Sequence, residues 1–243
     1  MTRWNRRDFL EFAAGASSGL LINGDLFDVW IASRHFVVRH HIRVLARIAD
    51  VVDAGVPVYF VGGNHDAIEW GGSMLRDDLG VTLLEEPARL VLAGRRVLVV
   101  HGDGVRPGSM EYRKRHPVLR SRVFRWLAQR AFHLDRIADA VAATSGTPRL
   151  VARRQRGEGT EPTPAAAQLE TWAREALSRA RDVDLVIAGH SHHPALVEVE
   201  PGRFYLNTGD WISHMTYGVL PGGGAAPELH RWPSGRLALP PQS

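Results

Sequence analysis

Four short apolar runs in this chain each stop at a Gly or His and give way at once to residues that bind metals or protons. The first is Leu20–Asn23 before Gly24-Asp25-Leu26-Phe27-Asp28, and the second is 56–61 before Gly63-Asn64-His65-Asp66. The others are 96–100 before His101-Gly102-Asp103, and 185–188 before Gly189-His190-Ser191-His192. Runs of this length, rich in Val, Leu and Ile and bounded by Gly, read as buried strands. If the strands are neighbours in a sheet, all four polar blocks gather along one edge, at the carboxyl ends where open α/β sheets carry their chemistry.

Helix-like stretches separate these runs. Residues 35–54 place Val38, Ile42, Leu45, Ile48 and Val52 at three- and four-residue intervals, which marks one buried stripe that Gly55 and Pro57 end. A shorter helix is expected over 72–79. Leu90-Val91-Leu92 and Val97-Leu98-Val99-Val100 flank 93–96 as a hairpin whose second arm delivers His101. From 106 to 168 arginine becomes dense, and 118–142 reads as a helix with a broad apolar face. A Gly-, Thr- and Pro-rich loop (157–164) and a helix over 165–180 follow. Residues 195–200 and 203–206 form a second hairpin around Pro201-Gly202, and Asn207-Thr208-Gly209-Asp210-Trp211 closes the region. The Pro-rich last residues are expected to fray. Alternating strands and helices followed by hairpins predict an α/β sandwich with mixed sheets.

With 243 residues and 44% hydrophobic content, the chain can bury a sizeable core. One domain over 1–243 is expected, with 106–168 as a helical insertion, a lid, within it. The absence of cysteine excludes disulfides, thiolate zinc sites and cysteine nucleophiles, leaving His, Asp and Asn as metal ligands. The net charge of +4 is modest and carried by arginine, Lys114 being the only lysine, so composition gives no reason to expect a nucleic-acid partner. No uninterrupted apolar run reaches eighteen residues, so no transmembrane helix is expected. Arg6-Arg7 before a mildly apolar stretch resembles a twin-arginine export signal. Glu11 interrupts that stretch and no Ala-x-Ala cleavage site follows. The preferred reading is an amphipathic first helix with Phe9, Leu10 and residues 12–14 facing the sheet, in a cytoplasmic protein.

Any one Gly-Asp or Gly-His pair arises readily by chance, and a lone His is more often structural than a ligand. Four such blocks in this order resemble the calcineurin-like metallophosphoesterases, whose signature runs Asp-x-His, Gly-Asp-x-x-Asp, Gly-Asn-His-Asp, a lone His, then Gly-His-x-His, each after a strand. That resemblance implies a four-layer α/β/β/α sandwich and hydrolysis of a phosphoester or diphosphate bond by a metal-activated hydroxide. It implies two divalent cations, Mn²⁺ foremost, with Fe²⁺ or Zn²⁺ as options. Asp25, Asn64, His101 and His190 would hold one ion. Asp25 and His192 would contribute to the other, with Asp25 bridging because a carboxylate offers two oxygens. His65 would contact the phosphate or donate a proton, with Asp66 orienting it. Asp28 and Asp103 would fix the orientation of the ligands. His193, Asn207 and Asp210 are less definite members, and His35, His40 and His41 read as solvated or flanking the cleft.

The family's first motif, Asp-x-His, is absent before Leu20, which leaves the second ion two of four expected protein ligands. A truncated start is the simpler expectation. A degenerate, non-catalytic module that binds a phosphorylated lipid or partner is the alternative. Within the family, Gly-Asp-Leu-Phe-Asp-x-Trp, the arginine-rich insertion and Gly-His-Ser-His-His-Pro resemble the UDP-2,3-diacylglucosamine diphosphatase group of lipid A synthesis. That resemblance implies a phosphorylated lipid substrate, a lid carrying Arg122, Phe124, Arg125 and Trp126 against it, and peripheral contact with the inner membrane. His65 departs from that group, which carries Arg there.

Overall fold

The computed structural model describes residues 6–30, 32–33, 36–106 and 163–236. Among the described residues the fold is mixed α/β, with four sheets of which one is parallel and one mixed, in two units: those up to 85 form one, and 86–106 with 163–236 form the other.

The first unit alternates strand and helix. Helix α1 (Arg6–Ala16) leads into β1 (Leu20–Asn23), a small hairpin β2 (Ala32–Ser33) and β3 (Phe36–Val37), then α2 (Ile42–Asp53) and β4 (Val58–Val61). Helix α3 (Gly72–Asp77) and β5 (Thr82–Leu84) follow, and the sheet order is β1-β4-β5, all parallel. Parallel pairing sends the turns after β1 and β4 out at the same edge, so the Asp25 and Asn64-His65-Asp66 blocks are neighbours by topology. Leu45, Ile48 and Val51 turn inward from α2 onto Val58 and Phe60. Full burial of such side chains stabilises by about 1.5–3 kcal/mol each.

Two expectations for this unit are corrected. Helix α2 starts at Ile42 instead of residue 35, because the chain first pairs β2 with β3 and then makes a 3₁₀ turn over Arg39–His41. Arg39, His40 and Arg43 crowd the positive end of the helix dipole, where cations disfavour further extension. Ile42 is therefore 54% exposed instead of part of the stripe. In α1 the buried residues are Leu10 and Ala13, while Phe12 is 45% exposed, since the helix packs on α2 along a narrow i, i+3 line.

The second unit holds β6 (Ala88–Leu92), β7 (Arg95–Val99), α4 (Pro164–Arg179), β8 (Leu185–Ala188), β9 (Ala195–Glu200) and β10 (Arg203–Asn207). Its sheet order is β6-β7-β8-β10-β9, with β7, β8 and β10 mutually parallel at the centre. The β6–β7 turn places Ala93 and Gly94 at φ 50° and 81°, the twist that a two-residue hairpin requires. Thr163 caps α4 by accepting the Ala166 amide at 3.2 Å, with Pro164 in the first turn. Leu169, Trp172, Ala173 and Leu177 of that helix cover β8 and β10. The strands β11 (Thr216–Val219), β12 (Glu228–Arg231) and β13 (Gly235–Arg236) form a separate antiparallel sheet. These, with β5 and the β2–β3 hairpin, were not anticipated from sequence.

Arg96 and Asp184 lock the register that aligns β7 with β8. Asp184 accepts from the Arg96 amide at 3.0 Å and from its guanidinium at 3.0 and 2.6 Å, while its own amide donates to the Arg96 carbonyl at 2.8 Å. The Arg96 side-chain bond holds the Asp184 carboxyl down to about 2, against an unfolded value of about 3.9. A depressed folded pKa stabilises above the unfolded value, and that share is lost as pH falls through the folded one. Asp184→Asn is therefore expected to be less stable than wild type at pH 6 and to lose part of that deficit by pH 3. Urea unfolding at the two pH values measures this, and an equal deficit at both contradicts a charge-dependent lock.

Candidate metal centre

At the carboxyl edge of the first unit, the chain leaves β1 through two left-handed residues, Gly24 at φ 74° and Asp25 at φ 52°. Asp66, fully buried, holds this turn. Its Oδ1 accepts the amides of Asp25 at 2.8 Å and Gly63 at 2.9 Å, and its Oδ2 accepts those of Leu26 at 2.6 Å and Phe27 at 3.3 Å. One carboxylate thereby ties the loop after β1 to the loop after β4. Asp25 returns the contact, its Oδ1 accepting the His65 amide at 3.0 Å. Gly63 lies so close that an added Cβ would stand 2.1 Å from Asp25 Oδ1, so only glycine fits.

The expected pairing of Asp66 with the His65 ring is corrected: the Asp66 carboxylate gathers backbone amides, and the ring's Nδ1 instead faces the Asp28 carbonyl at 3.0 Å. A carbonyl only accepts, so Nδ1 carries the ring's hydrogen toward it and Nε2 is the position where a proton is taken up or given. Asp28 thus orients His65 through its backbone, and its side chain is exposed. Asn64 is exposed at the tip of the same loop.

The second unit carries the histidines. His101 follows β7, is 1% exposed and donates its amide to the Glu86 carboxylate, while its carbonyl accepts the Gly189 amide at 2.9 Å. His190 and His192 follow β8 at φ 58° and 56°. Left-handed non-glycine residues cost roughly 1–3 kcal/mol each and persist only when the surroundings over-determine them. Buried Asn207, at the end of β10, supplies part of that determination. Its Nδ2 donates to the Gly189 carbonyl at 2.9 Å and lies 3.0 Å from Ser191 Oγ, and its Oδ1 accepts the Gly209 amide at 3.0 Å. The His101 and His190 rings sit edge to face with centroids 5.3 Å apart, and a ring nitrogen of each lies within 4.8 Å of the other. That spacing suits two imidazoles sharing one cation. Asp103 is buried beside them in sequence, at the turn that follows His101.

Asp210 is buried with three backbone amides on Oδ1, those of Ile212, Ser213 and His214, and the His214 ring on Oδ2 at 3.0 Å. Burial alone would raise its carboxyl; the His214 ring and the Ser213 and His214 amides outweigh that and hold it well below the usual carboxylate range. Sequence reasoning missed His214, Ser191 and Glu86, which carry no spacing signal. Asn207 and Asp210 were visible only as members of a polar block after a strand. His40 is exposed, and His41 stacks on Phe27 at 4.0 Å, a packing role. His35, Arg122, Phe124, Arg125 and Trp126 lie outside the described residues.

The donors are imidazole nitrogens, carboxylate oxygens and one amide oxygen, a set that suits Mn²⁺, Fe²⁺ or Zn²⁺. Asp66→Asn is expected to cost about 3 kcal/mol, because an amide cannot accept from four N–H groups. Gly63→Ala is expected to cost about 1–3 kcal/mol through overpacking against Asp25. Urea denaturation of both variants checks this, and wild-type midpoints would refute the clamp.

Comparison with known proteins places these features in context. Residues 6–194 match the family model for calcineurin-like phosphoesterases. The chain is 30% identical to a UDP-2,3-diacylglucosamine hydrolase of Aeromonas salmonicida over 93% of this chain and 86% of that one. It is 32% identical to one of Escherichia coli O1:K1 (84% and 82%) and 34% identical to one of Klebsiella pneumoniae (79% and 75%). A solved archaeal phosphodiesterase aligns over 93% of this chain and 90% of its own at 14% identity, with a TM-score of 0.46.

Proposed function

The chain belongs to the calcineurin-like phosphoesterase family of hydrolases, and from that membership we propose that it is a metal-dependent enzyme cleaving a phosphoester or diphosphate bond. The observation that carries this reading is that three of the donor side chains, Asp25, His190 and His192, stand on left-handed backbone braced by buried polar groups. Strain maintained at ligand-type residues indicates a preorganised site.

In this reading the positions that match the family's ligands, Asp25, Asn64, His101 and His190, would hold one divalent ion, and Asp25 and His192 would contribute to another. Divalent ions held there neutralise phosphoryl charge and acidify an attacking water. His65, its tautomer set by the Asp28 carbonyl, presents Nε2 to hydrogen-bond the phosphoryl group or protonate the leaving oxygen. Asp66 holds the loops that bear Asp25 and His65, and so fixes the distance between base edge and proton donor.

For substrate, the names of the relatives support a UDP-linked diacylglucosamine or a close analogue; we propose in addition a cytoplasmic protein at the inner face of a membrane. Residues 106–168 would then cover the acyl chains, with Arg122, Phe124, Arg125 and Trp126 against them.

Mn²⁺-dependent hydrolysis of p-nitrophenyl phosphate or its diesters is the expected outcome. His190→Ala and Asn64→Ala are expected to lose metal, measured by elemental analysis, together with activity. His65→Ala is expected to retain metal and slow turnover by about 10²–10⁴-fold. A His65 variant that sheds its metal contradicts the assigned role. No turnover of phosphoesters or UDP-lipids with any divalent metal favours a binding module instead.

A further inference from the structure

The loop that carries His190 and His192 is braced from one side by the segment after β10. Because β8 and β10 are adjacent parallel strands, with Asn207 opposite Ala188, their following loops emerge side by side. Asn207 ties Gly189 and Ser191, as described above. Gly209 is pressed against the far end of the same loop: a Cβ there would stand 2.9 Å from the Pro194 Cβ. Between these two ties lies His193, whose ring meets that of His214 edge to face, 6.4 Å between centroids and 88° between planes. His214 cannot swing away without breaking its bond to Asp210, which is itself pinned by three backbone amides. The pair is nearly enclosed, the Asp210 and His214 side chains being 2% and 11% exposed.

We propose that the Asp210–His214 pair is a positioning device for the metal ligands: through His193 it holds the 189–193 loop so that His190 and His192 stay at positive φ. The proposal rests on the metallohydrolase reading. A carboxylate only accepts, so Asp210 fixes His214 with its hydrogen on Nδ1 and the ring plane in one orientation. The rigid ring then stands against His193, the residue that follows His192. His190 and His192, both at positive φ, return to ordinary backbone conformations if that support is lost, since no glycine stands at either position. Partners that orient a ligand in this way commonly change metal affinity by 10–100-fold when removed.

The test is Mn²⁺ binding to the intact chain by isothermal titration calorimetry, with the visible spectrum of the Co²⁺-loaded protein as a second readout. His214→Ala and His193→Ala are each expected to weaken Mn²⁺ about tenfold and to alter the Co²⁺ bands. The double variant is expected to be no weaker than the poorer single variant, because both act through one contact. His214→Gln, whose amide can still donate to Asp210, is expected to recover most of the affinity. Thermal melts establish that each variant is folded at the assay temperature; a purely structural role lowers the melting temperature and leaves the Mn²⁺ affinity of folded protein alone. Wild-type affinity in His214→Ala overturns the proposal, as do multiplying losses in the double variant. Wild-type protein that binds neither Mn²⁺ nor Co²⁺ overturns the metallohydrolase reading itself.

Discussion

The first unit depends on one buried carboxylate. Asp66 accepts four backbone amides from two loops, and no regular ladder bond could replace it there, because both loops have already left their strands. Buried N–H groups require partners, and a single anion that satisfies four of them fixes where two strand ends lie relative to each other. The left-handed turn at Gly24-Asp25 and the close approach of Gly63 follow from that constraint. Asp66 thus sets the backbone geometry of the loops that bear Asp25 and His65.

The second unit solves the same problem with neutral groups as well as charge. Asn207 reaches from the end of β10 to the turn after β8 with an amide that donates and accepts at once, which a carboxylate could not do. Further down the same segment Asp210 performs the Asp66 role on its own loop, gathering three amides and an imidazole. In the second unit Arg96 and Asp184 also align β7 with β8, so the loop ties join residues that the register brings to the same edge. The register matters because a one-residue slip would invert every side chain along the strand.

Much of this was legible in the sequence where local pattern and global fold agree. The spans of β1, β4 and β8 and the two hairpins read directly from apolar runs bounded by glycine, because a buried strand needs those residues and little else. Helix α2 was misplaced at its start because residues 35–41 match the helical period by accident, while a hairpin and a 3₁₀ turn claim them. Phe12 was misassigned because composition gave α1 a wide apolar face, whereas packing on α2 uses only the Leu10–Ala13 line. The residue types of the site were legible, and their bracing was not. The Asp66 clamp spans 40 residues in sequence and the contact of His193 with His214 spans 21, and each is made by pairs with no periodic signature. The contact of the His65 ring with the Asp28 carbonyl was not anticipated, since a side chain is visible in sequence and a carbonyl is not.

The identity of the ligands then follows from two demands that few residues meet together. A turn that leaves a strand abruptly needs positive φ, and among residues other than glycine, Asn, Asp and His adopt it most readily. A hard or borderline cation needs carboxylate oxygen or imidazole nitrogen. Asp satisfies both at position 25, and His satisfies both at 190 and 192. Glutamate at 25 would supply the same charge, but its longer arm would displace the carboxylate from the His65 amide. Asparagine would keep the backbone and lose the negative charge. In the proposed site the residues that build the turns would also be the residues that bear the chemistry, which is how short glycine-flanked blocks can carry both demands.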